Sequence, residues 1–243
     1  MIVRKALVGA ASLLLAGAAI AAAQPKAGDF AAVLADPARP EADRLRDADR
    51  KPAEMLAFAG VKPGDKVAEL APGGGYFTRL LGGAVGAAGK VYAVSPRPSP
   101  AVEEWAKTHP NVVFQLITPG SPLAPEPLDL VWTTQNYHDF KGLKIGDRDA
   151  AAAFNAAAFQ ALKPGGIYLV GDHEAAKGAG TSQSSTLHRI ESAAVIRDVE
   201  SAGFKLSAQS EILRRPADDH SLTAHDPAIR GKTDQFVLRF RKP

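Results

Sequence analysis

Three short stretches carry residue types suited to acid–base chemistry. His138 and Asp139 stand in Gln135-Asn136-Tyr137-His138-Asp139-Phe140, directly behind the apolar run "LDLVWTT". Asp172, His173 and Glu174 close a second apolar run, "IYLVG". His188 and Arg189 follow the small, polar stretch "AAKGAGTSQSST". Imidazole exchanges a proton near neutral pH, and a neighbouring carboxylate orients it for that work. His138 is therefore the candidate base, with Asp139 or another acid holding it. His173 and His188 are candidates to stand beside it. Arg189 is a candidate partner for Asp172 or for a substrate carboxylate. Converging imidazoles also bind zinc, so His138, His173 and His188 form an alternative metal set. Their spacing carries no metal signature, and no metal ligand is assigned from sequence.

The stretch "ELAPGGGYFT", Glu69 to Thr78, raises a different chemistry. Three glycines separate an apolar run from a helical pattern. Gly73 and Gly75 let the backbone adopt positive φ and let a ligand approach the main chain. The helix N-terminus that follows offers N–H groups to a carboxylate or phosphate. Glu69 adds acceptors at the same point. A nicotinamide site requires G-x-G-x-x-G and an acid after the second strand. Here Thr78 takes the third glycine position counted from Gly73, and the second strand "VYAVS" ends in Ser95. A phosphate loop of the G-x-x-x-x-G-K-[ST] type is absent.

These residues need a scaffold that brings strand ends together. Short apolar runs predict strands at "KVAEL", "GKVYAVS", "NVVFQLI", "LDLVWTTQ" and "IYLVGDH", then at "FKLSAQSEIL" and "DQFVLRFRK". Helical patterns cover residues 41–59, split at Lys51-Pro52, and then 76–86, 100–107, 149–162 and 186–202. This alternation predicts a mostly parallel sheet covered on both faces. The long connection between the last two strands permits an antiparallel hairpin at one edge. Ligands in such sheets bind beyond the carboxyl ends of the strands. The irregular segments 174–185 and 214–232 are placed to line a site. The charge run "DRLRDADRK" reads as a solvated helix face, or as the source of Arg46, Arg50 or Lys51 for a ligand carboxylate. Phe154, Phe159 and Trp105 are expected in the core.

The chain has 243 residues and a net charge of +3, of which Arg4 and Lys5 supply two. No basic stripe interleaves with aromatics, so nucleic acid is not expected as a partner. The absence of cysteine excludes disulfides, thiolate metal sites and a lipid-modified N-terminal cysteine. Residues 1–23 have a positive start, an apolar centre and an Ala-x-Ala end, the pattern of a signal peptide cut after Ala23. The expected location is periplasmic or otherwise exported. Membrane contact is expected only through an uncleaved leader. Residues 24–40 read as a flexible tether, and residues 41–243 as the folded domain.

The chain resembles the class I S-adenosylmethionine-dependent methyltransferases, whose first motif is roughly acid-x-G-x-G-x-G. Glu69, Ala71, Gly73 and Gly75 fall on those four positions. "LDLVWTTQNYHDF" looks like the family's fourth strand and following loop, and "ALKPGGIYLVGD" like its helix-turn-fifth strand passage. The resemblance extends over most of residues 24–243. More narrowly, "DRLRDADRKP", "PGGG", "YHD" and "RGKTDQFVLRFRKP" are similar to a bacterial group of exported, predicted methyltransferases.

The resemblance implies an α/β Rossmann-like sandwich with a seven-stranded mixed sheet and an antiparallel last strand. It implies S-adenosylmethionine as cofactor and methyl transfer to a small-molecule acceptor. Glu69, Ala71, Gly73, Gly75 and Asn136 would hold the cofactor, with Ser95 on the ribose side. His138 and Asp139 would work at the acceptor, with His173 and His188 near it. Two positions depart from the family pattern. Ser95 stands where an acid holds the ribose hydroxyls, and Ala71 replaces a glycine. Two other readings stay open on sequence: a non-catalytic exported small-ligand-binding protein, and a metal-dependent hydrolase using His138, His173 and His188. Neither the acceptor nor the oligomeric state is written in the sequence.

Overall fold

The computed structural model describes residues 24–243, apart from the side chain of Arg148. Residues 1–23, read from the sequence as a signal peptide, lie outside the described residues. Seven strands form one sheet: β1 (Lys66–Leu70), β2 (Lys90–Ser95), β3 (Val112–Leu116), β4 (Leu128–Thr134), β5 (Leu162–His173), β6 (Lys205–Ser210) and β7 (Gln235–Arg241). Their order is β3-β2-β1-β4-β5-β7-β6. The first five are parallel, and β7 runs antiparallel to both its neighbours. The final pair is therefore a hairpin, but β7 lies inside the sheet and β6 takes the edge. Burial explains this. β6 alternates exposed and half-buried residues, as an edge strand does, whereas β7 is buried over most of its length.

Six helices longer than one turn pack along the sheet among the described residues: α1 (Pro52–Ala59), α2 (Tyr76–Val85), α3 (Pro100–Thr108), α4 (Tyr137–Gly142), α5 (Ala150–Ala161) and α6 (Ser192–Ser201); the helix expected before Lys51 is two single turns, Glu41–Arg44 and Asp47–Arg50. Alternate residues of each parallel strand serve opposite layers. Ala68, Val94 and Val131 pack with Phe140, Phe154 and Val195 on one face. Val67, Val91 and Trp132 pack with Leu56, Phe77 and Leu80 on the other. Phe154 is fully in the core, while Phe159 and Trp105 are partly buried at its margin. Among the described residues no helix is long and apolar enough to cross a membrane.

Two other local expectations change. Residues 24–40, read as a tether, fold into helical turns at Ala27–Phe30 and Ala31–Leu34. Phe30 is buried, and Arg39 is buried against Asp47 with Nη–Oδ distances of 2.7 and 2.9 Å. The helix expected from residue 186 starts only at Ser192. Ile190 instead bridges Glu174, and His188 sits at φ +52°, which no helix accommodates.

Candidate active site

The glycine loop leaves β1 at the point where the strand order reverses, between β1 and β4. Ala71, Gly73 and Gly75 have φ of +53°, +55° and +82°. Side chains from three other elements pin the loop's carbonyls. Asn136 Nδ2 donates to Ala71 O at 3.0 Å, Ser99 Oγ to Gly73 O at 2.6 Å, and Arg79 Nη2 to Gly74 O at 2.8 Å. A β-carbon on Gly73 would meet no atom within 4 Å, so this glycine faces open space. One on Gly75 would lie 2.8 Å from Val102 Cγ2 and 2.9 Å from Arg79 Nη1. Gly73 thus opens the loop to a ligand, while Gly75 lets the loop pack on α3.

Three cavities run along this edge of the sheet. The first, about 380 Å³, is lined by Gly74, Ser95, Pro96, Asn136, Asp139 and Phe140. The second, about 180 Å³, is lined by Glu69, Arg46, Arg50 and Gln135. Ala71, Gly73 and Asn136 line both. The third, about 510 Å³, shares Arg50 and Gln135 with the second and adds His173, His225, Arg230 and Gln235. Glu69 is buried beneath the loop, where Thr78 Oγ1 donates to its Oε2. Burial pushes its carboxyl up to about 7 against that hydrogen bond and the nearby arginines. The Arg50 guanidinium lies over the Tyr76 ring, 4.4 Å from its centroid, and donates to Gln135 Oε1. Burial, and then the Arg46 charge, push it down to about 10.

A histidine cluster stands beside these cavities. His138 is 1% exposed at the start of α4. Its Nδ1 lies 2.8 Å from Asp172 Oδ1, and its backbone N–H donates to Asp172 Oδ2. Asp172, at the end of β5, is completely buried. Burial opposes charging His138, but Asp172 outweighs it and raises the pKa above the ordinary histidine value. The Asp172 bond occupies Nδ1 and leaves the Nε2 lone pair free. Asp139 Oδ1 lies 3.4 Å from that Nε2 and 3.4 Å from His188 Nδ1. His173 is turned the other way, its Nδ1 2.7 Å from Thr233 Oγ1, and burial pushes it down to about 4. The His225 ring is 4.4 Å from that of His188.

No family model matches the chain, and no curated protein matches it. Solved structures do. The chain is similar to an S-adenosylmethionine-dependent methyltransferase from Aquifex aeolicus, with a TM-score of 0.60 and 16% identity over 84% of this chain and 96% of that one. It is similar to the N-methyltransferase NodS from Bradyrhizobium japonicum WM9 in complex with S-adenosyl-L-homocysteine, with a TM-score of 0.57 and 14% identity over 89% and 97%. A 1,6-didemethyltoxoflavin-N1-methyltransferase from Burkholderia thailandensis gives 0.56 and 16% over 92% and 93%. The chain has the class I methyltransferase fold.

Within the methyltransferase fold, the sequence-derived residues fall into two groups. Glu69, Ala71, Gly73, Ser95 and Asn136 line the first two cavities. Gly75 lines neither and supports the loop from behind. His138, Asp139 and His188 converge, with His173 adjoining at a ring distance of 5.9 Å from His138. The acid that orients His138 is Asp172, not Asp139. Arg189 does not pair with Asp172. It is buried, bonds Glu174 O and Leu222 O, and pairs with Asp218 at 2.9 Å. The charge run is a solvated face only in part: Arg44, Arg46 and Lys51 are exposed, whereas its acids are buried or half-buried. Asp43 is buried against Arg79, Asp47 accepts from Arg39 and the Tyr76 hydroxyl, and Asp49 pairs with Arg215. Gln135 and His225 were missed. The signal for Gln135 was its place directly behind β4. His225 lies in an insertion whose pattern points nowhere.

Proposed function

We propose that the protein transfers a methyl group from S-adenosylmethionine to a small-molecule acceptor. The observation that carries this reading is Gly73. It has positive φ and open space at its α-carbon, it lines two adjoining cavities, and it sits beyond β1 where the strand order reverses. The residues fit the group. Arg46 and Arg50 match a carboxylate at one end. Ser95 supplies a hydroxyl, and Asn136 a side-chain oxygen, for a ribose and base at the other; the Asn136 amide nitrogen already donates to Ala71 O and Thr134 O. The Ser95 hydroxyl accepts from Arg97 N at 3.1 Å, which leaves its O–H free to donate. When bound, S-adenosylmethionine supplies an electrophilic methyl group.

The chain's own part is to hold the acceptor and take its proton. The 510 Å³ cavity adjoins the second cavity through Arg50 and Gln135 and is large enough for a small molecule. The free Nε2 lone pair of His138, fixed by Asp172, is the proton acceptor if the acceptor group arrives protonated. In this reading His173 lines the acceptor cavity, with the His138 ring 5.9 Å from its own, and Asp139 borders the first cavity. Export behind the leader belongs to the same reading and rests on residues 1–23 alone.

Calorimetric titration with S-adenosylmethionine and S-adenosylhomocysteine tests the proposal. Dissociation constants in the micromolar range are expected, with binding lost in Gly73→Arg, whose side chain fills the cavity. A folded protein that binds neither, or a Gly73→Arg variant that binds both unchanged, overturns it.

A further inference from the structure

His138, Asp139 and His188 place three metal-binding atoms within 4.8 Å of one another. We propose that they form a site for a divalent transition-metal ion of the zinc class, with His138 Nε2, the Asp139 carboxylate and His188 Nδ1 as ligands. The inference goes beyond methyl transfer and does not depend on it.

Four observations carry it. The first is distance. Asp139 Oδ1 is 3.4 Å from His138 Nε2 and 3.4 Å from His188 Nδ1. Both are longer than the usual N–H···O range of about 2.7–3.2 Å. They match the edge of a tetrahedron built on metal–ligand bonds of about 2.0–2.1 Å, which is about 3.3–3.4 Å. The third edge, between the two imidazole nitrogens, lies within 4.8 Å, so a tetrahedral site requires the partly exposed His188 side chain to turn.

The second is an orphan atom. His188 Nδ1 is shielded from solvent and has no hydrogen-bond partner. A buried imidazole nitrogen without a partner costs free energy unless something binds it. The third is backbone strain. His188 holds φ +52°, an unfavourable conformation for a residue with a β-carbon, and that conformation accompanies the aim of its ring at Asp139. The fourth lies behind the ligands. Asp172 holds His138 by Nδ1 at 2.8 Å, so Nε2 presents a lone pair of fixed direction. A carboxylate behind a ligating histidine is the usual support of a metal site.

Imidazole with carboxylate suits zinc and its neighbours better than calcium or magnesium. Three protein ligands leave a coordination position open. Asp139 lines the 380 Å³ cavity, and His225, beside His188, lines the 510 Å³ one. An ion held by Asp139 borders the 380 Å³ cavity, and its open position can take an oxygen or nitrogen from a small molecule there. It competes with a proton for His138 Nε2, so the loaded and unloaded proteins differ in what that nitrogen does.

The test uses the full, untagged protein after chelator treatment, with no S-adenosylmethionine present. Titration with Zn²⁺ against a chromophoric chelator is expected to give about one equivalent at micromolar affinity or tighter. Co²⁺ is expected to give the visible absorption of a four-coordinate site. His188→Ala and Asp139→Ala, both at exposed or half-exposed side chains, are expected to weaken binding at least tenfold. His109→Ala, at a surface imidazole stacked on Trp105, is expected to leave it unchanged. The proposal is overturned if the parent takes up no equivalent, or if His188→Ala binds as tightly as the parent.

Discussion

Glu69 is a carboxyl 4% exposed beneath the glycine loop, with Thr78 as its hydrogen-bond donor. Moving it from an ordinary value of 4.5 to about 7 corresponds to roughly 3 kcal/mol. The sign follows from linkage. Between those two values the folded protein holds a proton that the unfolded chain has released. The Glu69 contribution to stability is therefore largest below pH 4.5, is lost as pH rises toward 7, and is flat above. Glu69→Gln keeps an acceptor for Thr78 and removes this slope. Urea unfolding is expected to show a gain of roughly 3 kcal/mol over the parent at pH 8 and little gain at pH 4.5. Equal gains at both values would assign the effect to packing. Ala71, Gln135 and His188, three non-glycine residues at positive φ, all border the site. Left-handed backbone costs about 1 kcal/mol or more at each, and such residues gather where function requires a fixed geometry.

The elements beneath the site are tied by buried charge. Arg79, on α2, donates to the Gly74 carbonyl and pairs with Asp43 at 2.6 Å; both side chains are largely buried. Removing one partner of such a pair costs about 3–5 kcal/mol, because the other charge stays buried. Arg79→Met is expected to lose that much in urea unfolding. The double variant Asp43→Leu/Arg79→Met is expected to recover most of it. If the double variant is as unstable as the single one, the pair is not the source of the loss. The late insertion is fastened the same way, with Asp234 paired to Arg214 and Arg189 to Asp218. These charge pairs tie the insertion to the folded body. They leave Arg230 and His225 to line the large cavity.

At the scale of the molecule, the segment before Glu41 belongs to the folded body. Phe30 joins the core under α1 and α2, and Arg39 closes on Asp47, which also accepts from Tyr76. A chain starting at Glu41 loses one buried aromatic and half of an ion pair. It is expected to lose at least about 3 kcal/mol in urea unfolding. A true tether would leave stability within about 0.5 kcal/mol.

Strand and helix alternation and the glycine loop were legible because each rests on local chemistry. Apolar runs of strand length, glycine's freedom in φ and proline's fixed φ act within a few residues. That was enough for the seven strands, the parallel sheet and the placing of Gly73 at its mouth. The order of the last strands, the start of α6 and the partners of the charged residues were decided by tertiary contacts. "DRLRDADRK" has the same pattern whether water or Arg79 and Arg39 face its acids. His188 and Arg189 fall inside the helical pattern read over 186–202, yet Arg189 is buried between Glu174 and Asp218 and the helix starts only at Ser192. The pairing of His138 with Asp172 spans 34 residues, and the convergence of His138 and Asp139 with His188 brings α4 against the segment before α6. Side chains meet in space through the sheet that carries them, and a linear sequence holds no distance between strand ends.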